Sequence, residues 1–359
     1  MSSLKKSKLS ASAVRDYFSF PLVTAAFFII TFMSSHDMLN KRMQGLLVPV
    51  CCYIVMALSL NLTVGIMGEL SLGHAGFMSL GAFTGVVVSQ SLIDSVPNDI
   101  LRLVIAIVAG ALIAAVGGFL IGLPVLRLRG DYLAIVTLAF GEIIMDIVNC
   151  LIVGHDKNGL HIIFNFKGEK TVADLNLAEN GTAIIKGAQG AVGTKTISTF
   201  TAGFVLILVC LFVIFNLVNS RAGRAIMAIR DNRIAAESVG ISVTKYKMTA
   251  FVTAAILAGM AGALYGLNFS TVTASKFKFD TSILVLVFVV LGGIGNIRGS
   301  IIAAALLTVL PELLRKFSDY RMLVYAIVLI LVMLATNSPR LKQMLEKLRP
   351  HRKEDGSNG

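Results

Sequence analysis

The predicted fold class is all-α: a polytopic membrane helix bundle of about ten transmembrane segments with both termini cytoplasmic. Three observations predict it. Hydrophobic residues make up 56% of the 359 residues and charged residues only 14%, whereas a soluble domain needs roughly a quarter of its residues charged to cover its surface. Mean hydropathy is +0.81, far too apolar for a disordered chain. The apolar residues also fall into runs near the ~20-residue length that crosses a bilayer.

In chain order the runs are 18–35, 45–66, 70–90, 100–123, 131–153, 199–218, 249–267, 281–295, 299–314 and 321–336. The third, eighth and ninth are short or broken by glycine, the pattern of re-entrant or discontinuous helices. A basic stretch (Lys5, Lys6, Lys8, Arg15) precedes the first run. After that run, Ser34-Ser35-His36-Asp37 lacks a small-x-small cleavage site, so an uncleaved first helix is expected.

The net charge of +12 raises nucleic acid as a partner. Its basic residues, however, sit between apolar runs and form no single patch. They follow the excess of Lys and Arg in cytoplasmic loops: with the amino terminus inside, 19 of the 32 lie on the cytoplasmic side. The chain then reads as a basic tail at 1–19, a membrane domain at 20–336 and a second basic tail at 337–359. The membrane domain carries an outer loop at 154–198 and a cytoplasmic loop at 219–248.

Within the outer loop, Ile162–Phe166, Lys167–Lys170 and Thr171–Val172 read as strand, turn and strand of a β-hairpin. In the inner loop, Ile226, Ile229, Arg230, Arg233, Ala236 and Glu237 recur at three- and four-residue steps, the helical period. Asp231 or Asn232 can cap a short helix over about 233–239, and Gly240 suits the position just past its end. Such a helix is either a docking knob for a cytoplasmic partner or a basic membrane-surface linker. Pattern alone favours the linker.

Polar residues inside apolar runs are functional candidates by default. Glu142, Asp146 and Asn149 share one helix face, where they either hydrogen-bond neighbouring helices or serve transport. Glu69, Ser71 and His74 lie in the glycine-rich stretch 65–76, and broken helices often line substrate sites. No HExxH pattern or second ligand cluster accompanies His74, so no metal site is read. Cys51, Cys52, Cys150 and Cys210 lie in apolar runs without a CxxC pair, which excludes a disulfide framework or zinc site.

Three glycine pairs at four-residue spacing, Gly81/Gly85, Gly118/Gly122 and Gly262/Gly266, mark close helix packing. A second glycine break at 292–299 is not at an equivalent position in the helix order, so no repeat is read. Nor is there a phosphate-binding loop: in Gly187–Lys195, Thr194 stands where glycine must precede the lysine. Any ATP that drives this protein is hydrolysed by another chain.

From about Leu46 to Leu341 the chain resembles the LivM-type permeases, membrane subunits of branched-chain amino-acid ABC importers. The stretches that carry the resemblance are Leu60–Gly65, Leu70–Phe77, Leu126–Leu138, Phe140–Ile144, Ser220–Tyr246, Leu291–Gly295 and Leu310–Arg315. The resemblance implies a multi-pass permease subunit of the cell membrane that is not itself an enzyme. It binds no cofactor, with ATP and Mg held on partner ATPases. Its implied partners are a second homologous permease, two ATP-binding subunits, an extracytoplasmic substrate-binding protein and membrane lipid, with no nucleic acid.

By the same resemblance the inner loop becomes the ATPase-coupling loop, with Arg230, Arg233, Ala235, Ala236, Glu237 and Gly240 as its residues. Asn61 and Thr137, inside matching stretches, join Glu69, Ser71, His74, Glu142 and Asp146 as translocation-path candidates. Urea, amides or nucleosides are alternative cargoes within the family. An ion-coupled secondary transporter using Glu142 and Asp146 is the second reading, and an intramembrane enzyme built on His74 the third. The outer loop departs from the family pattern, with residues 160–185 inserted before Gly187-Ala188-Gln189-Gly190.

Overall fold

The computed structural model describes residues 19–36, 40–128, 131–157, 159–166, 168–178 and 181–314, with 323, 324, 326, 327 and 330. Two compact units divide the chain, Met1–Thr308 and Val309–Gly359, and the packing that follows belongs to the first. Its first six helices are α1 (Ser19–Ser35), α2 (Lys41–Asn61), α3 (His74–Ser91), α4 (Asp99–Val125), α5 (Asp131–Asn149) and α6 (Phe200–Asn219). Two short helices follow, α7 (Arg221–Asp231) and α8 (Arg233–Ser238), then α9 (Val243–Gly266), α10 (Phe279–Gly292) and α11 (Ile297–Leu313), which runs on into the second unit.

Helix α2 does not stop at Asn61 but widens into a π-helical turn over Leu62–Met67. Among the described residues, five helices are long and apolar enough to cross a membrane: Lys41–Met67, Asp99–Val125, Tyr132–Asn149, Phe200–Asn219 and Val243–Gly266. Helices α1, α3, α10 and α11 occupy four more of the ten expected positions but are shorter or less apolar. Except for five isolated positions, the tenth expected segment, 321–336, lies outside the described residues, as do both expected basic tails apart from Ser19.

At the centre of the bundle is α9, packed most closely on α4, α3 and α2. Its small residues explain this. A Cβ added at Gly262 would lie 2.0 Å from the Met78 carbonyl oxygen on α3, so the two backbones are already in contact. Gly118 and Gly122 of α4 likewise face Ala255 and Met248 of α9. The three glycine pairs legible in the sequence therefore converge on one α3–α4–α9 seam, as small-residue ridges in lipid do.

The expected all-α architecture is supplemented at one end of this bundle. There a five-stranded antiparallel sheet forms, in the order β2-β1-β3-β4-β5. Its strands are β1 (Leu151–Asp156), β2 (Gly159–Phe164), β3 (Thr182–Lys186), β4 (Ala191–Val192) and β5 (Thr271–Val272). Two expectations are corrected here. The fifth apolar run is not helical to 153: α5 ends at Asn149, and the β-branched Ile152 and Val153 become paired on both sides, to β2 and β3.

The hairpin also has a different register. Its turn falls between Asp156 and Gly159, so Gly159–Phe164 is the second strand, not the first. Asn165 then closes the next loop through its side chain, donating to the Lys170 carbonyl at 2.7 Å and accepting from the Lys170 N–H at 3.1 Å. Val172–Leu175 is a 3-10 turn where a strand was expected. Asp99, at the start of α4, pairs with Arg102 at 2.7 Å and with Lys195 beyond β4 at 2.9 Å, fastening helix to sheet segment.

Candidate coupling site at the broken helices

The other end of the bundle gathers α7, α8 and the break between α2 and α3. Ser220 opens α7, its hydroxyl accepting from the Gly223 N–H at 3.1 Å. Asn232 ends α7 and caps α8, its Oδ1 accepting from the Ala235 N–H at 3.0 Å. At the far end of α8, Gly240 has φ +84. The Gly240 N–H donates to the Glu237 carbonyl at 3.0 Å and the Ile241 N–H to the Ala236 carbonyl at 3.1 Å, the paired bonds of a left-handed helix stop. Both caps read from the sequence are formed.

A small apolar core of Ile229, Ala236 and Val243, with Ile241 and Tyr246 against it, holds this elbow on the foot of α9. Ala236 is thus spent inward. Outward, α8 and the residue after it present Ile234 and Val239, 80% and 74% exposed, beside Ala235, Glu237 and Gly240. Arg233 donates to Glu237 at 3.0 Å along the same helix. Two exposed aliphatic side chains flanked by charge make a knob that water alone does not favour.

Arg230 turns the other way. Its Nη1 donates to the Gly65 carbonyl at 2.8 Å, in the π-helical turn that ends α2. A guanidinium suits that place, since the last carbonyls of a helix lack helical partners and carry the negative end of its dipole. The aliphatic part of Arg230 lies over Gly68, where a Cβ would come within 2.5 Å of Cγ and φ is +78. Beside it, the buried Lys247 of α9 forms an ion pair with the partly buried Glu69.

The second glycine break meets the first at this point. Asn61 Oδ1 accepts from the Gly295 N–H at 2.8 Å, and a Cβ on Gly65 would lie 2.4 Å from the Gly295 nitrogen. The segment between α10 and α11 therefore rests directly on the end of α2. Sequence order hid this contact, because Asn61 and Gly295 are 234 positions apart.

The remaining path candidates lie just before α3, at its first residue and along α5. His74 is buried and its Nε2 is hydrogen-bonded to Ser59 Oγ at 2.7 Å. Ser71 is also buried. Thr137 Oγ1 accepts from the Leu72 N–H at 3.1 Å and donates to the Ala134 carbonyl at 2.9 Å, tying the loop before α3 to α5. Glu142 accepts from the Phe279 N–H at 3.2 Å, Asn149 is half-buried and Asp146 is exposed. No cluster of three or more His, Cys, Asp or Glu able to hold a metal is present among the described residues. Ile234, Val239 and Arg230 all lie in the loop singled out from the sequence, but the outward direction of the first two and the reach of the exposed Arg230 back to Gly65 were not read there. Helical period assigns faces but not which face meets a neighbour.

Residues 42–333 match the family described as branched-chain amino acid transport system / permease component. The chain belongs to this family. With its apolar helices, membership makes it a multi-pass membrane protein of a transport permease family. It is 37% identical over 291 residues to the high-affinity branched-chain amino acid transport system permease protein LivM of Salmonella typhimurium, a match covering 79% of this chain and 66% of the relative. The Escherichia coli protein of the same name is 37% identical over 296 residues, with the same coverage. The chain spans just under two thirds of the length of these two relatives. It is also 25% identical over 288 residues to the high-affinity branched-chain amino acid transport system permease protein LivH of Salmonella typhimurium, covering 79% of this chain and 88% of LivH. No solved structure is significantly similar to it.

Proposed function

We propose that this chain is the permease subunit of an ABC importer that carries branched-chain amino acids across the cell membrane, driven by ATP hydrolysis on partner subunits. The observation that carries the reading is 37% identity to LivM over 79% of the chain. Similarity to LivH as well supports a second, homologous permease as partner. Two ATP-binding subunits, which hold ATP and Mg, and an extracytoplasmic binding protein complete the assembly. The chain itself performs no hydrolysis.

In this reading the α7–α8 elbow is cytoplasmic and seats Ile234, Val239 and Glu237 against an ATPase. The sheet end is external and receives the binding protein. Two features support that orientation: segments that alternate crossings would place outside collect in the sheet, and those it would place inside collect at the elbow. About ten spans with both termini inside remain the arrangement proposed. Glu69, Ser71, His74, Asn61 and Thr137 then act by shaping the break that borders the path, and no metal takes part.

The test is reconstitution of the whole complex in proteoliposomes with the binding protein and labelled leucine. Uptake that needs internal ATP and an intact ATPase is expected. Uptake that follows an ion gradient, or that survives without any ATPase, would sink the proposal.

A further inference from the structure

We propose that Arg230 is the tie by which movement of the inner loop is passed to both broken helices, and that it is a positioning residue for transport rather than part of the ATPase dock. The inference rests on the importer reading above. Its geometry is independent of it. Arg230 bridges α7 to the end of α2 through the 2.8 Å bond to the Gly65 carbonyl. Gly65 in turn touches Gly295 with no room for a methyl group between them. Asn61, one turn back, holds the Gly295 N–H. One guanidinium is therefore one hydrogen bond away from the point at which the two breaks meet.

The elements on either side of this tie differ in stiffness. Below it, the Ile229–Ala236–Val243 core fixes the elbow to α9, and α9 is itself locked by backbone contacts such as Gly262 on Met78. Above it lies a π-helical turn followed by Gly68 and by the glycine-rich 293–295 segment, where regular helical bonding is interrupted. A π-helical turn inside a helix commonly marks a place that changes form in function. A push on α8 is resisted by α9 and yields at the break. Two contacts hold Arg230 in position to transmit it, since its stem lies across Gly68 and its fork also bonds Asp231 at 3.1 Å.

The test compares three variants in the complete reconstituted complex, scoring ATPase copurification and cargo moved per ATP hydrolysed. Arg230→Gln is expected to copurify with the ATPases while cargo per ATP falls about tenfold, the size of an ordinary coupling between sites. Arg230→Lys, which keeps charge and reach, is expected to recover part of that loss. Ile234→Asp, on the outward face, is expected to lose the ATPases instead. A wild-type ratio in Arg230→Gln overturns the inference and leaves the importer reading standing. So does loss of the ATPases in Arg230→Gln, because it would place Arg230 in the dock.

A measurement on the intact side chain covers a variant that does not assemble. Spin labels at the exposed Leu70 and Ala228 flank the tie. Their separation is expected to stay constant as ATP binds. A separation that changes would mean that loop and break move apart, and the tie would fall. Failure of the wild-type complex to need ATP or an ATPase would instead fail the importer reading.

Discussion

Glu142 on α5 accepts a hydrogen bond from the Phe279 backbone N–H at 3.2 Å, so a carboxylate inside one helix serves as the cap of another. The first N–H groups of any helix lack partners, and α10 takes one from across the bundle. This gives Glu142 a structural role that does not require titration. The double substitution Glu142→Gln with Asp146→Asn keeps an acceptor at 142, and ATP-dependent uptake is expected to persist with ion gradients collapsed. Glu142→Leu removes the acceptor and is expected to cost about 1 kcal/mol of stability, read as a lowered melting temperature of the purified complex.

Gly240 closes α8 with φ +84. A side chain there costs about 1–2 kcal/mol, more for a β-branched one. Gly240→Val is expected to deform the knob, and Glu237→Lys to reverse its charge. Both variants should insert into the membrane at wild-type levels and lose ATP-driven uptake. Normal uptake with normal ATPase copurification would move the dock elsewhere.

Lys247 is buried and Glu69 partly so, their side chains 8% and 13% exposed. Removing one partner of such a pair costs about 3–5 kcal/mol because the other charge is stranded. Lys247→Met is expected to show that loss in a thermal unfolding assay of the complex, and adding Glu69→Gln is expected to recover most of it. If the double variant is no better than the single one, the pair contributes through something other than charge compensation.

Exposure at the two ends predicts opposite labelling. Phe166, at the sheet end, is 71% exposed, and the Asp231 side chain at the elbow is 70% exposed. In a Cys150→Ser background, a cysteine at 166 is expected to react with an impermeant thiol reagent in intact cells. A cysteine at 231 should react only once the membrane is opened. The reverse pattern would invert the proposed orientation and with it the dock.

At the α3–α9 crossing there is no space to spend. Gly262→Ala places a methyl group 2.0 Å from the Met78 carbonyl, and overpacking of this kind typically costs about 1–3 kcal/mol. Lower yield and a lower melting temperature are expected without a change in cargo preference. A wild-type melting curve would show that the seam can open to admit it.

Much of this was legible from local pattern. Among the described residues, apolar runs placed nine helices near their positions, and Asn232 and Gly240 marked both ends of α8, because capping is chemistry between residues a few positions apart. Four-residue glycine spacing announced the seam for the same reason. What stayed hidden depends on distant partners. Nothing local says that Gly65 rests on Gly295, or that the exposed Arg230 reaches back to Gly65 while Ile234 points away. The misplaced hairpin has a similar cause: Gly159–Phe164 and 162–166 share the apolar run Ile162-Ile163-Phe164, and pairing with Leu151–Asp156 chose the first.

Strand β5 follows α9 in the chain, yet it completes a sheet whose other four strands precede α6. Four helices, α6 to α9, must be made between Val192 and Thr271. During synthesis the sheet therefore waits with the edge of β4 open until α9 has been threaded and Thr271–Val272 arrives beside it. In the proposed topology, closure of that last ladder reports that the intervening crossings were laid down in order. A chain that skipped one would deliver β5 to the wrong side and leave that edge of β4 open, a defect that proteolysis at an exposed strand edge is well suited to find.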